Sequence, residues 1–146
     1  MTHPAIRRQQ AAQAVLDQFK GRQIDYRDVD CGRMAKALLL AMGHKPRWAR
    51  FSGYTTERGA VLKLKRAGFN DVAAVVDDLG FPRVPFSMAM RADLLGFPDG
   101  GWTALGVAMG GGKFLAARGS DQVFEVGGDL PPHLMDQAFA WRVEPR

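Results

Sequence analysis

Apolar positions change their spacing near residue 82. Before it they recur every three or four residues, and after it they fall in short runs broken by glycine-rich turns. Over residues 4–19, Ile6, Ala11, Ala14, Val15 and Phe19 predict an amphipathic helix that stops at Gly21. A second helix is predicted to follow Asp30, which can cap it, and to end at Gly43 in the left-handed conformation. A third begins near Thr55 or Thr56 and ends at Gly68, with Ala60, Val61, Leu64 and Ala67 on one face. A fourth, capped by Asn70, carries Val72, Val75, Val76 and Leu79 and stops at Gly80. Past Pro82, residues 92–97, 102–109, 113–117, 122–126 and 138–143 predict five short strands. The connections "PDGG", "GGG", "RGSD" and "GGDLPP" are turn-like. Helices followed by an antiparallel meander predict an α+β fold with helices on one face of the sheet. No linker divides the chain, so one domain spans 1–146, with a helical half over about 4–80 and a β half over about 92–143.

Composition agrees with this picture. A chain of 146 residues, 47% hydrophobic and 24% charged, is long and apolar enough to bury a core. The longest apolar run, "ALLLAM", is too short to span a bilayer, and the opening "MTHPAIRRQQ" lacks the apolar region of a signal peptide. One cysteine excludes an internal disulfide, and three scattered histidines without a cysteine partner argue against structural zinc. The net charge of +5 gathers at Arg7-Arg8, at Lys45, Arg47 and Arg50, and at Lys63, Lys65 and Arg66. Acids lie among these clusters and no nucleic-acid-binding motif accompanies them. They read as solvated helix faces, with an anionic partner (nucleic acid, cell-wall polymer or acidic protein) as the alternative.

Few motifs carry chemistry. "GGGK", Gly110 to Lys113, lacks the phosphate-loop spacing and has Phe114 where a magnesium-binding hydroxyl belongs, so it reads as a hairpin turn. No cofactor is implied. The acid pairs Asp77-Asp78 and Asp28-Asp30 read as a solvated helix end and a helix cap. Cys31 is the sharper candidate. At the first position of a helix, free backbone N–H groups and the positive end of the macrodipole favour its thiolate. Cys31 also shares a face with Met34, Ala35, Leu38 and Met42, which is the pattern of a buried side chain. A thiolate nucleophile needs a base, usually histidine. His3 lies at the terminus, His44 is about 20 Å along the helix from Cys31, and His133 sits in a loop after Pro131-Pro132.

The layout resembles the NlpC-type cell-wall cysteine peptidases, which are compact papain-like enzymes. Tyr26 and "DCGRM" stand for the tyrosine and Asp-Cys-Ser-Gly motif of that family, "RADLLGF" for its Gly-Asp-Leu strand, and "TALGVAMGGGKFLAA" for its base strand, hairpin and third strand. This covers roughly residues 20–120 in order. The chain is more similar still to a small branch found in phages and prophages of proteobacteria. It shares Tyr26, Asp30-Cys31, Tyr54, Gly59-Ala60, Gly68-Phe69, Leu105-Gly106-Val107 and Ala140 to Val143 with that branch. The resemblance implies a papain-like fold, a place among tail-tip and hub proteins of a virion, and synthesis in a bacterial cytoplasm. It carries Cys31 over as nucleophile, with Tyr26 and Asp30 in support. It also aligns Ala104 with the catalytic histidine and Ala116 with the third polar residue, and alanine can neither take nor orient a proton.

Two main functions follow. One is a structural or accessory tail-tip component on a degenerate peptidase scaffold, with Trp48, Phe51 and Trp102 as interface anchors. The other is an active cysteine peptidase that cleaves peptidoglycan stem peptides through Cys31 during phage entry, its oxyanion held at the helix N-terminus. A third is an inhibitor or chaperone used in tail assembly.

Overall fold

The computed structural model describes residues 2–48, 51–128 and 130–146. Arg50, of the second basic cluster, lies outside the described residues. Among the described residues, five α-helices and six strands follow one another as α1 (Pro4–Phe19), α2 (Cys31–Ala41), α3 (Glu57–Arg66), α4 (Val72–Asp78), β1 (Arg83–Pro85), β2 (Leu94–Asp99), β3 (Trp102–Gly110), β4 (Lys113–Arg118), β5 (Val123–Gly127), α5 (Pro132–Met135) and β6 (Phe139–Trp141), with a 3-10 turn at Phe86–Met88.

Local chemistry sets the helix ends. Asp30 caps α2 by accepting from the Arg33 amide, and Thr56 caps α3 by accepting from the Gly59 amide. Gly21, Gly43, Gly68 and Gly80 all have positive φ, at the four stops expected. The cap of α4 is Asp71 rather than Asn70. Its carboxylate does not cap but reaches across to β3, accepting from the Thr103 amide at 3.1 Å and its hydroxyl at 2.5 Å.

The buried face of α1 is rotated from the expected one. Arg8, Ala11, Ala12, Val15 and Phe19 are buried, while Ile6 is 49% exposed and Ala14 faces solvent. The cause is an ionic knot. Arg8, counted in the sequence as part of a solvated cluster, is buried and pairs with Asp93 at 3.1 Å. Asp93 is wholly buried and also accepts from Arg142 and from the amides of Met90 and Val143. Arg8 donates further to the carbonyls of Arg91 and Val143. Every polar contact of the carboxylate is thus satisfied, which is the condition for a buried charge to be tolerated.

The six strands form one antiparallel sheet in the order β1-β6-β2-β3-β4-β5. Five strands were expected; β1 is the sixth, a three-residue edge strand ending in a proline that has no N–H to donate. The segment between α1 and α2 covers the opposite edge, exchanging backbone hydrogen bonds between Arg22 and Ile24 on one side and Gln122 and Phe124 on the other. Asp99 pairs with Trp102 across a two-residue turn of positive-φ Gly100 and Gly101. Gly110, Gly111 and Gly112 all have positive φ, so "GGGK" is the hairpin turn between β3 and β4.

Side chains alternate across the sheet. Leu94, Leu105, Val107, Leu115, Phe124 and Trp141 join α1, α2 and α4 in the main core. Leu95, Phe97, Ala108, Phe114, Ala116 and Ala140 form a second cluster on the far face, where Phe86 and Leu130 cover them. Helix α2 lies against α1 and β3, which brings Cys31 to the middle of the sheet.

Candidate functional site

Strands β3 and β4 pair from Val107↔Leu115 to their hairpin, while residues 116–118 of β4 find partners in β5. The two strands therefore part beyond Gly106. At this fork opens a cleft of about 490 Å³, lined by Thr103, Ala104 and Leu105 on one side and by Ala116, Ala117 and Arg118 on the other. Tyr26, Asp30, Cys31 and Gly32 close its end, and Ala60, Val61 and Leu64 of α3 form a wall. Helix α3 contributes no buried residue to the core, so its apolar stripe faces this cleft.

Tyr26, Asp30 and Cys31 thus line one cleft. Cys31 begins α2, half-buried and packed against the main core. Its two sequence readings, a helix-start thiol and a core side chain, are both realised. The thiol's proton affinity resolves them. Burial pushes it from about 9 up to about 11, and the Asp30 carboxylate pushes in the same direction. Hydrogen bonding from the backbone amide of Leu105, with the amides of Cys31 and Gly32, acts against this and loses. The helix N-terminus was expected to favour the thiolate, and the net shift runs the other way because desolvation outweighs the amides. The acid is already held at that helix end.

Asp30 is almost fully buried and fully engaged. It accepts from the Arg33 amide at 2.8 Å and from the Tyr54 hydroxyl at 2.8 Å, and it is ion-paired with the Arg33 guanidinium. Arg33 also donates to the carbonyls of Tyr26 and Tyr54 and stacks 4.3 Å over the Tyr54 ring. Burial raises both phenols, Tyr26 to about 12 and Tyr54 further, where Asp30 adds to the effect. Neither tyrosine offers a base near neutral pH. Sequence reasoning missed Arg33, for which no pattern pointed inward, and gave Tyr54 no role beyond the shared motif.

No histidine is among the residues lining the cleft. His3 caps α1, where its Nδ1 accepts from the Ala5 amide. His44 Nε2 lies 2.6 Å from the Glu144 carbonyl, and His133 belongs to α5, a single turn where a loop was expected. Ala104 and Ala116 line the cleft, but both pack with the far-face cluster. Leu105 is the β3 residue that reaches the sulfur, and Thr103 shares its face by alternation. Neither Thr103 nor Leu105 carries a base. Among the described residues no three His, Cys, Asp or Glu side chains gather to hold a metal, and no helix is long and apolar enough to cross a membrane.

The proposed interface aromatics are also repositioned. Trp48 and Phe51 are buried in the main core and pack edge to face at 6.0 Å, so they cannot serve as surface anchors. Trp102 is half-buried in the cleft wall, and Trp141 is wholly buried with its Nε1 donating to Asp77. Asp77 also accepts two hydrogen bonds from Arg83, so that acid is a structural partner.

A family model described as "Domain of unknown function (DUF6950)" matches residues 5–143, and the chain belongs to that family. No curated protein and no solved structure matches it.

Proposed function

We propose that the chain is a structural or accessory component of a phage or prophage tail tip, built on an NlpC-like scaffold whose catalytic site is idle. The observation that carries the idle site is the state of Cys31. Its sulfur stands at a helix start against a central strand, in a cleft without histidine, and its proton is held up to about 11. At neutral pH such a thiol is almost wholly protonated and a poor nucleophile. The tail-tip placement is supported by the motifs shared with the phage and prophage branch, and its partners are other tail-tip and hub proteins.

A second reading is favoured by the cleft itself, which is large enough for a peptide and brings Cys31 to its wall. On that reading the chain cleaves peptidoglycan stem peptides. The two separate on incubation of purified protein with peptidoglycan fragments. The idle-site reading expects no cleavage; cleavage that disappears in Cys31→Ala establishes the peptidase. Mass spectrometry of purified particles tests placement. Recovery in intact particles supports a tail-tip component, and absence there shifts the role to an assembly factor.

A further inference from the structure

A second cleft shares Trp48 with the cleft at Cys31. It is open, about 810 Å³, and is lined by Lys36, His44, Lys45, Arg47, Asp78, Phe81 and Arg146, among others. Four of these side chains are cationic. Among the described residues, no ion pair joins Lys36, Lys45, Arg47 or Arg146 to a carboxylate. The compensating charge on the cleft is small. Asp78 supplies the acidic side chain of the lining. Cationic side chains thus outnumber acidic ones four to one in this concavity, where like charges repel and a counter-ion is favoured.

His44 sharpens the geometry. Its Nε2 faces the Glu144 carbonyl at 2.6 Å, and a carbonyl only accepts, so Nε2 carries the proton. The ring also stands edge-on to Phe81 at 5.0 Å. Pinned at both contacts, the imidazole is held in place, and the donors that meet an anion are those of the lysines and arginines.

We infer that this cleft binds a ligand carrying two or more neighbouring phosphate groups, held by Lys36, Lys45, Arg47 and Arg146. A single phosphate reaches few of the four cations; linked phosphates span more of them. The site is separate from the Cys31 cleft and does not depend on how that cleft functions.

The test titrates the full chain at low salt with orthophosphate, tripolyphosphate and a short oligothymidylate. Tripolyphosphate binds more tightly than orthophosphate, and Lys45→Gln/Arg47→Gln weakens it by about tenfold or more and makes the salt dependence shallower. Arg27→Gln, an exposed cation elsewhere, leaves it unchanged. Competition by the oligonucleotide identifies a phosphodiester chain as the source of the phosphates; its failure to compete identifies a free polyphosphate. Absence of tripolyphosphate binding, or equal losses in the double variant and in Arg27→Gln, overturns the inference. Thermal melts verify folding, and Lys36→Gln alone provides the same comparison should the double variant fail to fold.

Discussion

The Tyr54 hydroxyl donates to Oδ2 of Asp30 at 2.8 Å, tying the loop before α3 to the first turn of α2. With the Arg33 amide and guanidinium on the same carboxylate, the acid beside Cys31 is committed to holding the helix start in place. Tyr54→Phe removes one hydrogen bond to a charged group and is expected to cost about 1.5–3 kcal/mol. Asp30→Ala removes the cap and strands Arg33, and is expected to cost more. Urea denaturation of both variants reads the order directly.

Burial of the Cys31 thiol predicts a pH dependence of stability. In the folded chain the thiol keeps its proton up to about 11, against about 9 when unfolded. Between these values the unfolded state has lost the proton and the folded state has kept it. This group's contribution therefore falls as pH rises from about 9 to about 11, by up to roughly 2–3 kcal/mol. Unfolding free energies of the native chain and of Cys31→Ala, measured across that window, should differ by this fall, with Cys31→Ala lacking it.

The Arg8–Asp93–Arg142 knot joins α1, the start of β2 and the C-terminal segment. Asp93→Asn removes the buried anion that Arg8 and Arg142 share, leaving the buried Arg8 only the exposed Glu144 carboxylate at 3.5 Å, and is expected to cost about 3–5 kcal/mol. Arg27→Ala, which breaks an exposed pair with Asp25, should cost about 1 kcal/mol or less. Thermal denaturation of the two variants side by side checks the contrast.

Gly106 sits where β3 and β4 part. A Cβ there would meet the Phe97 ring at 2.8 Å and the backbone carbonyl of Leu115 at 3.1 Å. The carbonyl is fixed by the sheet, so the ring must move. Gly106→Ala is expected to destabilise by about 1–3 kcal/mol, read by chemical denaturation.

The parts of the fold legible in the sequence are those set by local chemistry. Asp30, Thr56 and the four positive-φ glycines mark helix ends within one or two residues because their effect is on the adjacent backbone. The rotation of α1 was not legible, since it depends on Arg8 meeting an acid eighty-five positions away. Strand β1 is too short to show alternation. At the site, the position of Cys31 could be read and the direction of its proton affinity could not, because the burial comes from strands far along the chain. The face of Ala104 was hidden for a similar reason: alternation assigns sides only once a strand is anchored, here by the Leu105 amide at the sulfur.

On the proposed function, Cys31 stands in a nucleophile's place without acting as one. The most direct measurement is the rate of its alkylation by iodoacetamide in the native protein as a function of pH. An idle, buried thiol predicts an inflection near 11. An inflection below the free-thiol value of about 8.5 would contradict it, because only a thiolate stabilised by a base or cation in the cleft reacts there.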